Sequence, residues 1–231
     1  MKKFNFIFLV KIFFIISSVT YAVEFNGKFE QGSFIIGKTE KGSKIEIDNR
    51  KIRLSKDGFF AFGLGRDRKN NVIIKIHENG ETKVIEKKIL KRNYKIQRID
   101  GLPRKHVTPP PEVYDRIKKD NILIGKARSI DTGYDFFKDK FIFPVDKYII
   151  TGVYGSQRVL NGKPRRPHYG IDFHAPEGTP VKARMDGKVT LAESDMYFTG
   201  GTIIFDHGHG ISTLYMHMKD INVKVGQKIK Q

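Results

Sequence analysis

Two residues carry the types and spacing that suggest chemistry. His168 and Asp172 lie four apart in Pro167-His168-Tyr169-Gly170-Ile171-Asp172-Phe173. Tyr169, Ile171 and Phe173 alternate with His168, Gly170 and Asp172, which predicts a short strand. Its period of two turns the imidazole and the carboxylate to one side. Gly170 leaves the position between them empty, so a metal ion could sit there. A third candidate is His217, in Ile211-Ser212-Thr213-Leu214-Tyr215-Met216-His217-Met218. Alternation there predicts Leu214, Met216 and Met218 as core and Thr213, Tyr215 and His217 as a polar face.

The remaining histidines fit less well. His207 and His209 fall in the turn Asp206-His207-Gly208-His209-Gly210. At roughly 3.4 Å per residue, that turn is on the order of 20 Å along the strand from His217. They therefore read as turn residues. His174 precedes the Ala175-Pro176 loop and reads as a bystander. His77 reads as a solvated surface group, and His106 belongs to a proline-rich stretch without a special role.

Elements of several kinds must position these residues. From Val23 to about Tyr94 short apolar or alternating runs (33–37, 44–48, 51–54, 59–62, 72–76 and 83–87) are separated by turn signals, which predicts an all-β unit. Asn79-Gly80 between two such runs is a hairpin signal. Strands at this spacing suggest an immunoglobulin-like β-sandwich over 23–94. Residues 95–140 read as a connector, with Pro103 and Pro109-Pro110-Pro111 extended. A helix opens after Pro111, with Val113, Ile117, Ile124 and Ala127 on the face that packs. A glycine-rich antiparallel β domain is expected over 141–231, with strands at 147–151, 168–172, 181–183, 187–191, 202–206 and 211–218.

Composition bounds the chemistry. With no cysteine in 231 residues, disulfides, zinc ribbons, thiol catalysis and iron–sulfur clusters are excluded, and a metal site must use His, Asp or Glu. The formal charge of +18 favours polyanions such as anionic envelope polymers. No arginine-rich helix, zinc finger or aromatic–basic RNA motif is present, which argues against nucleic acid. Lys2, Lys3 and Lys11 precede the apolar run Ile12-Phe13-Phe14-Ile15-Ile16, and Thr20 and Ala22 suit a signal-peptidase site. Residues 1–22 thus read as a signal peptide, too short in its apolar run for a membrane span. A bacterial periplasm or cell envelope is the expected location, with no membrane span after cleavage. The oligomeric state is not legible.

Residues 143–231 resemble the lysostaphin-like zinc metallopeptidases, which cut peptide cross-links in bacterial cell walls. The matching text is Phe143-Pro144, Tyr154-Gly155-Ser156-Gln157-Arg158, His168-Tyr169-Gly170-Ile171-Asp172, Gly178-Thr179-Pro180-Val181, Gly187-Lys188-Val189, Asp206-His207-Gly208, Leu214-Tyr215-Met216-His217 and Val223-Lys224-Val225-Gly226-Gln227. The resemblance implies a mainly β protein whose C-terminal metallopeptidase domain is of the duplicated-hybrid-motif type. It also implies Zn2+ as cofactor, His168 and Asp172 as metal ligands, His217 as a catalytic residue beside the metal, and peptidoglycan peptide stems as substrate. That family takes its third ligand from a later His-x-His motif, and none follows His217 in these residues. The expectation is therefore an incomplete peptidase domain, from a partial copy of a longer protein or a truncated gene, that binds zinc weakly and is inactive. The alternative is a non-catalytic wall-binding or amidase-activating relative.

Overall fold

The structure, a computed structural model, describes residues 23–231. The expected signal peptide, residues 1–22, lies outside them. Among the described residues no helix is long and apolar enough to cross a membrane.

Seven strands build the N-terminal unit: β1 (Glu24–Asn26), β2 (Phe34–Lys38), β3 (Lys44–Ile47), β4 (Arg50–Ile52), β5 (Phe59–Gly63), β6 (Val72–Glu78) and β7 (Glu81–Lys87). They form two antiparallel sheets, ordered β1-β2-β5 and β4-β3-β6-β7. A constant-type immunoglobulin domain keeps its fourth strand in the first sheet; here β4 pairs with β3 instead. Residues at every second position fill the space between the sheets. Ile35, Phe60 and Phe62 come from the first sheet, and Ile45, Ile47, Val72, Ile74 and Ile76 from the second. Two tight turns fix the registers. Asp48-Asn49 and Asn79-Gly80 both have positive φ, the conformation that two-residue hairpins require.

The chain then passes through β8 (Ile96–Ile99), a short helix α1 (Arg104–Val107) and a 3-10 turn at Pro111–Val113 that leads into helix α2 (Tyr114–Arg128). The expected proline-led start of α2 is present, and of its expected packing face Ile124 and Ala127 pack inward. Ala127 is buried and Ile124 packs beside it, against Leu191, Met196 and Ile204. Arg116 bonds the Asp195 carbonyl and carboxylate, and Asp120 accepts from the Tyr197 amide, tying α2 to the strands beyond.

Those strands are β9 (Ile149–Gly152), β10 (Gln157–Leu160), β11 (Lys163–Pro164), β12 (Asp172–His174), β13 (Gly187–Met196), β14 (Gly200–Asp206), β15 (Ser212–Met218) and β16 (Lys228–Ile229). The main C-terminal sheet runs β15-β14-β13-β16, and all its pairings are antiparallel. Residues 202–206 are all buried, because α2 covers one face of β14 and the other packs against Tyr215, Met218, Ile221 and Val223. A strand covered on both faces reads as a continuous apolar run.

The segment 95–140 is more than a connector. Its strand β8 pairs in parallel with β10, which pairs with β11, as a three-stranded sheet. Three local expectations are corrected. Val181-Lys182-Ala183 is irregular rather than a strand. The strand expected at 168–172 begins only at Asp172. In β15 the packed residues are Tyr215 and Met218, while Leu214 and Met216 are more than a third exposed. Tyr215 is drawn inward because its hydroxyl accepts the Arg184 amide.

Candidate metal centre

The site is built where β12 meets β9. Asp172 pairs with Gly152 and is followed by a register shift. Gly152 is the residue that admits the carboxylate, since a Cβ there would collide with Asp172 Oδ2. His168 sits in the preceding loop, held by its backbone. Its amide donates to Ser156 O at 2.8 Å, and its carbonyl accepts from Gly155 N at 2.7 Å. Gly155 has φ +89°, and a Cβ there would strike the Tyr94 ring. The glycine-punctuated stretch 152–156 therefore does two jobs, making room for Asp172 and bonding His168.

His168 Nε2 lies 3.0 Å from Asp172 Oδ1. The strand alternation that first linked these residues does not exist, but the loop brings them together all the same. His168 is buried, whereas Asp172 is 38% exposed. Burial pushes the His168 pKa below its ordinary value, and the nearby Arg158 guanidinium adds to this; the Asp172 carboxylate and the Val153 carbonyl act the other way. The ring is thus biased to its neutral, metal-ligating form. Its Nδ1 is buried without a hydrogen bond of good geometry. The other carboxylate oxygen, Oδ2, is bonded by Arg158 Nη2.

The pair satisfies one test for zinc. Bonds of 2.0–2.1 Å at a tetrahedral metal place neighbouring ligand atoms about 3.3 Å apart, close to the 3.0 Å seen between Nε2 and Oδ1. A catalytic zinc usually has three protein ligands. Among the described residues no three His, Cys, Asp or Glu side chains converge to hold a metal. The described donor set thus fits as two ligands.

The third candidate, His217, is exposed on β15 with φ +61°. It lies near a register irregularity in the β14–β15 pairing, and its amide donates to Thr199 O at 2.8 Å. No hydrogen bond or ion pair among the described residues links it to His168 or Asp172. His174 is exposed at the end of β12.

His207 and His209 occupy the expected turn, but they are structural. His207 is fully buried, with Nδ1 2.6 Å from Asp186 O and Nε2 2.7 Å from Thr213 Oγ1. Asp206 accepts from Thr132 Oγ1 and from the Gly208 amide, and the His209 ring lies 4.9 Å from that of Phe137. The turn is thus a docking point for residues 132–137. Sequence reasoning gave no role to Arg158, although it closes the Tyr154–Arg158 motif. It also missed Gln97, whose Oε1 accepts from Arg158 Nε at 3.2 Å; only the pairing of β8 with β10 could have revealed that residue.

Comparison with known proteins converges on the same region. Residues 166–231 match the model for Peptidase family M23. The chain is 31% identical over 127 residues to the cell division protein DipM of Caulobacter vibrioides, covering 54% of this chain and 19% of DipM. It is 36% identical over 91 residues to the peptidoglycan DD-endopeptidase ShyA of Vibrio cholerae (38% of this chain, 21% of ShyA). Identity reaches 42% over 64 residues with the glycyl-glycine endopeptidase ALE-1 of Staphylococcus capitis (27% of this chain, 18% of ALE-1). The chain spans about a fifth of the length of these relatives. A solved structure from Pseudomonas aeruginosa, described as a peptidase M23, superposes with a TM-score of 0.65 at 21% identity. It covers 88% of this chain and 80% of that one, so the two share a fold. Residues 166–231 of this chain, with the His168–Asp172 pair inside them, belong to peptidase family M23.

Proposed function

We propose that this chain is an exported zinc metalloendopeptidase of the bacterial envelope, directed at the peptide cross-links of peptidoglycan. The observation that carries the reading is the convergence of His168 Nε2 and Asp172 Oδ1 at 3.0 Å within the family-matched residues. The likeness to ShyA and ALE-1, both endopeptidases, supports it. His168 and Asp172 would hold the metal, and zinc there would supply a polarised carbonyl and an acidified water. His217, exposed on β15, would take the proton of the attacking water or stabilise the tetrahedral intermediate. Residues 1–22 direct export, and the envelope is the site of action. The cationic surface makes anionic envelope polymers further partners.

The two-ligand donor set favours a second reading for the 231 residues taken alone, in which they bind wall without cutting it. On that reading, two ligands would bind zinc weakly and hydrolysis would be absent. The test is calorimetric zinc titration of residues 23–231 beside sedimentation with purified peptidoglycan. The expected result is weak zinc binding that disappears in His168→Ala and in Asp172→Ala. Equal zinc binding by all three proteins would remove the metal centre. Wall hydrolysis abolished by His168→Ala would overturn the inactivity of these residues, and chelator-insensitive sedimentation without zinc binding would favour the non-catalytic reading.

A further inference from the structure

Asp172 is too exposed for burial to fix its carboxylate, so other side chains must do so. Arg158 Nη2 bonds Oδ2, leaving Oδ1 toward His168. An arginine is a long side chain rich in rotamers and holds a carboxylate in one orientation only if it is itself held. Arg158 lies on β10, and the strand beside it is β8, with Gln97 directly opposite Arg158 in the parallel register. Gln97 Oε1 accepts from Arg158 Nε at 3.2 Å, and its amide reaches the Thr151 carbonyl at 3.4 Å. Bonded at Nε and Nη2, the guanidinium is held along one edge between Gln97 and Asp172.

The same segment supports the other ligand. Tyr94, three residues before Gln97, has its ring against Gly155, whose amide donates to the His168 carbonyl. The Tyr94 hydroxyl donates to the backbone carbonyl oxygens of Gln31 and Arg66, at 3.0 and 3.1 Å. Residues 94–99 lie outside the family-matched 166–231, yet they touch the supports of both His168 and Asp172.

We propose that Gln97 is a positioning residue for the metal pair. Through Arg158 it fixes the Asp172 carboxylate so that Oδ1 and His168 Nε2 are presented together to a divalent cation. This rests on the reading of His168 and Asp172 as metal ligands. Removing the direct partner of a metal-ligating group costs 10–100-fold in affinity. Gln97 acts one residue further out, so its loss should cost about three- to tenfold.

The test is Co2+ titration of residues 23–231, followed by visible absorption, in the wild type, Gln97→Leu, Gln97→Glu and His168→Ala. Gln97→Leu should weaken Co2+ binding about three- to tenfold, with the melting temperature of the metal-free chain unchanged. Gln97→Glu, which still accepts from Arg158 Nε, should restore it. In the metal-free chain the Arg158 Nε–H should exchange slowly with solvent in the wild type and in Gln97→Glu, and fast in Gln97→Leu. Unchanged affinity in Gln97→Leu, no rescue by Gln97→Glu, or a loss of affinity that tracks a loss of folding stability would overturn the role of Gln97. If His168→Ala binds Co2+ as the wild type does, or the wild type takes none, the metal centre itself fails. That result is distinct from a failure confined to Gln97.

Discussion

At the scale of single residues, the histidines separate by burial and partners. His168 keeps Nε2 toward a carboxylate, whereas His207 uses both ring nitrogens inside the fold. The close approach of the His207 ring also explains Gly187, where a Cβ would come within 2.9 Å of Nδ1. Burial pushes the His207 pKa below its ordinary 6.5, against the Asp186 carbonyl and the Asp206 and Asp186 carboxylates. Burial lowers His168 and His209 in the same direction. The unfolded chain therefore binds more protons than the folded one just below pH 6.5, so folding stability is complete above that pH and declines as pH falls through the folded-state values. Melting temperatures measured from pH 8 to pH 5 should be level at first and then drop below about pH 6.5. His207→Gln should start lower at pH 8 but decline less steeply. A wild-type melting temperature that rises between pH 7 and pH 5.5 would contradict this linkage.

At the scale of elements, the turn between β14 and β15 shows how a motif can be legible in sequence and misleading in role. Asp206-His207-Gly208-His209-Gly210 reads as a glycine-rich turn, and it is one. Its side chains nevertheless face inward, because residues 132–137 lie across it. Gly208 has φ +88°, and a Cβ there would overlap the Tyr134 carbonyl oxygen. Gly208→Ala meets both backbone strain and a backbone clash that no rotamer change relieves. It should destabilise the chain by about 2–3 kcal/mol, read as a shift in the urea midpoint at constant slope. A change below about 0.5 kcal/mol, the scale of an ordinary surface substitution, would show that residues 132–137 are not docked on the turn. The helix α2 was more transparent. Its apolar spacing at Ile124 and Ala127 matches the face that packs, because a helix stripe depends only on local periodicity. In β15 the same approach failed, since the register irregularity near Met218 and the Tyr215–Arg184 bond shift which residues face inward.

At the scale of the whole molecule, the sandwich is joined to the peptidase region by side chains as well as by sequence. Arg66 Nε donates to Gly155 O at 2.7 Å, and its guanidinium lies 4.3 Å from the centre of the Tyr94 ring. Arg53 bonds Asp131 and the Thr132 carbonyl, and Phe34 stacks on Phe141 at 5.9 Å. Arg66→Ala removes a charge-assisted hydrogen bond and a cation–π contact beneath the loop that holds His168. The expected cost is about 1–3 kcal/mol, with faster proteolysis within 101–113. Digestion at the wild-type rate would show that the two regions are not coupled through Arg66.

The sequence by itself determined the strand-and-turn text of the sandwich, the helix stripe, the absence of thiol chemistry and the proximity of His168 to Asp172. These are local: they rest on periodicity, turn chemistry and short spacing, and His168 and Asp172 are only four residues apart. The tertiary structure alone decided that the pair meets through a loop against Gly152, and that His207 and His209 belong to the interior. It alone brought Gln97 opposite Arg158, 61 residues away in the chain. A parallel pairing between distant strands leaves no periodic mark in either one. The support of the pair was therefore invisible in sequence, although the pair itself was not.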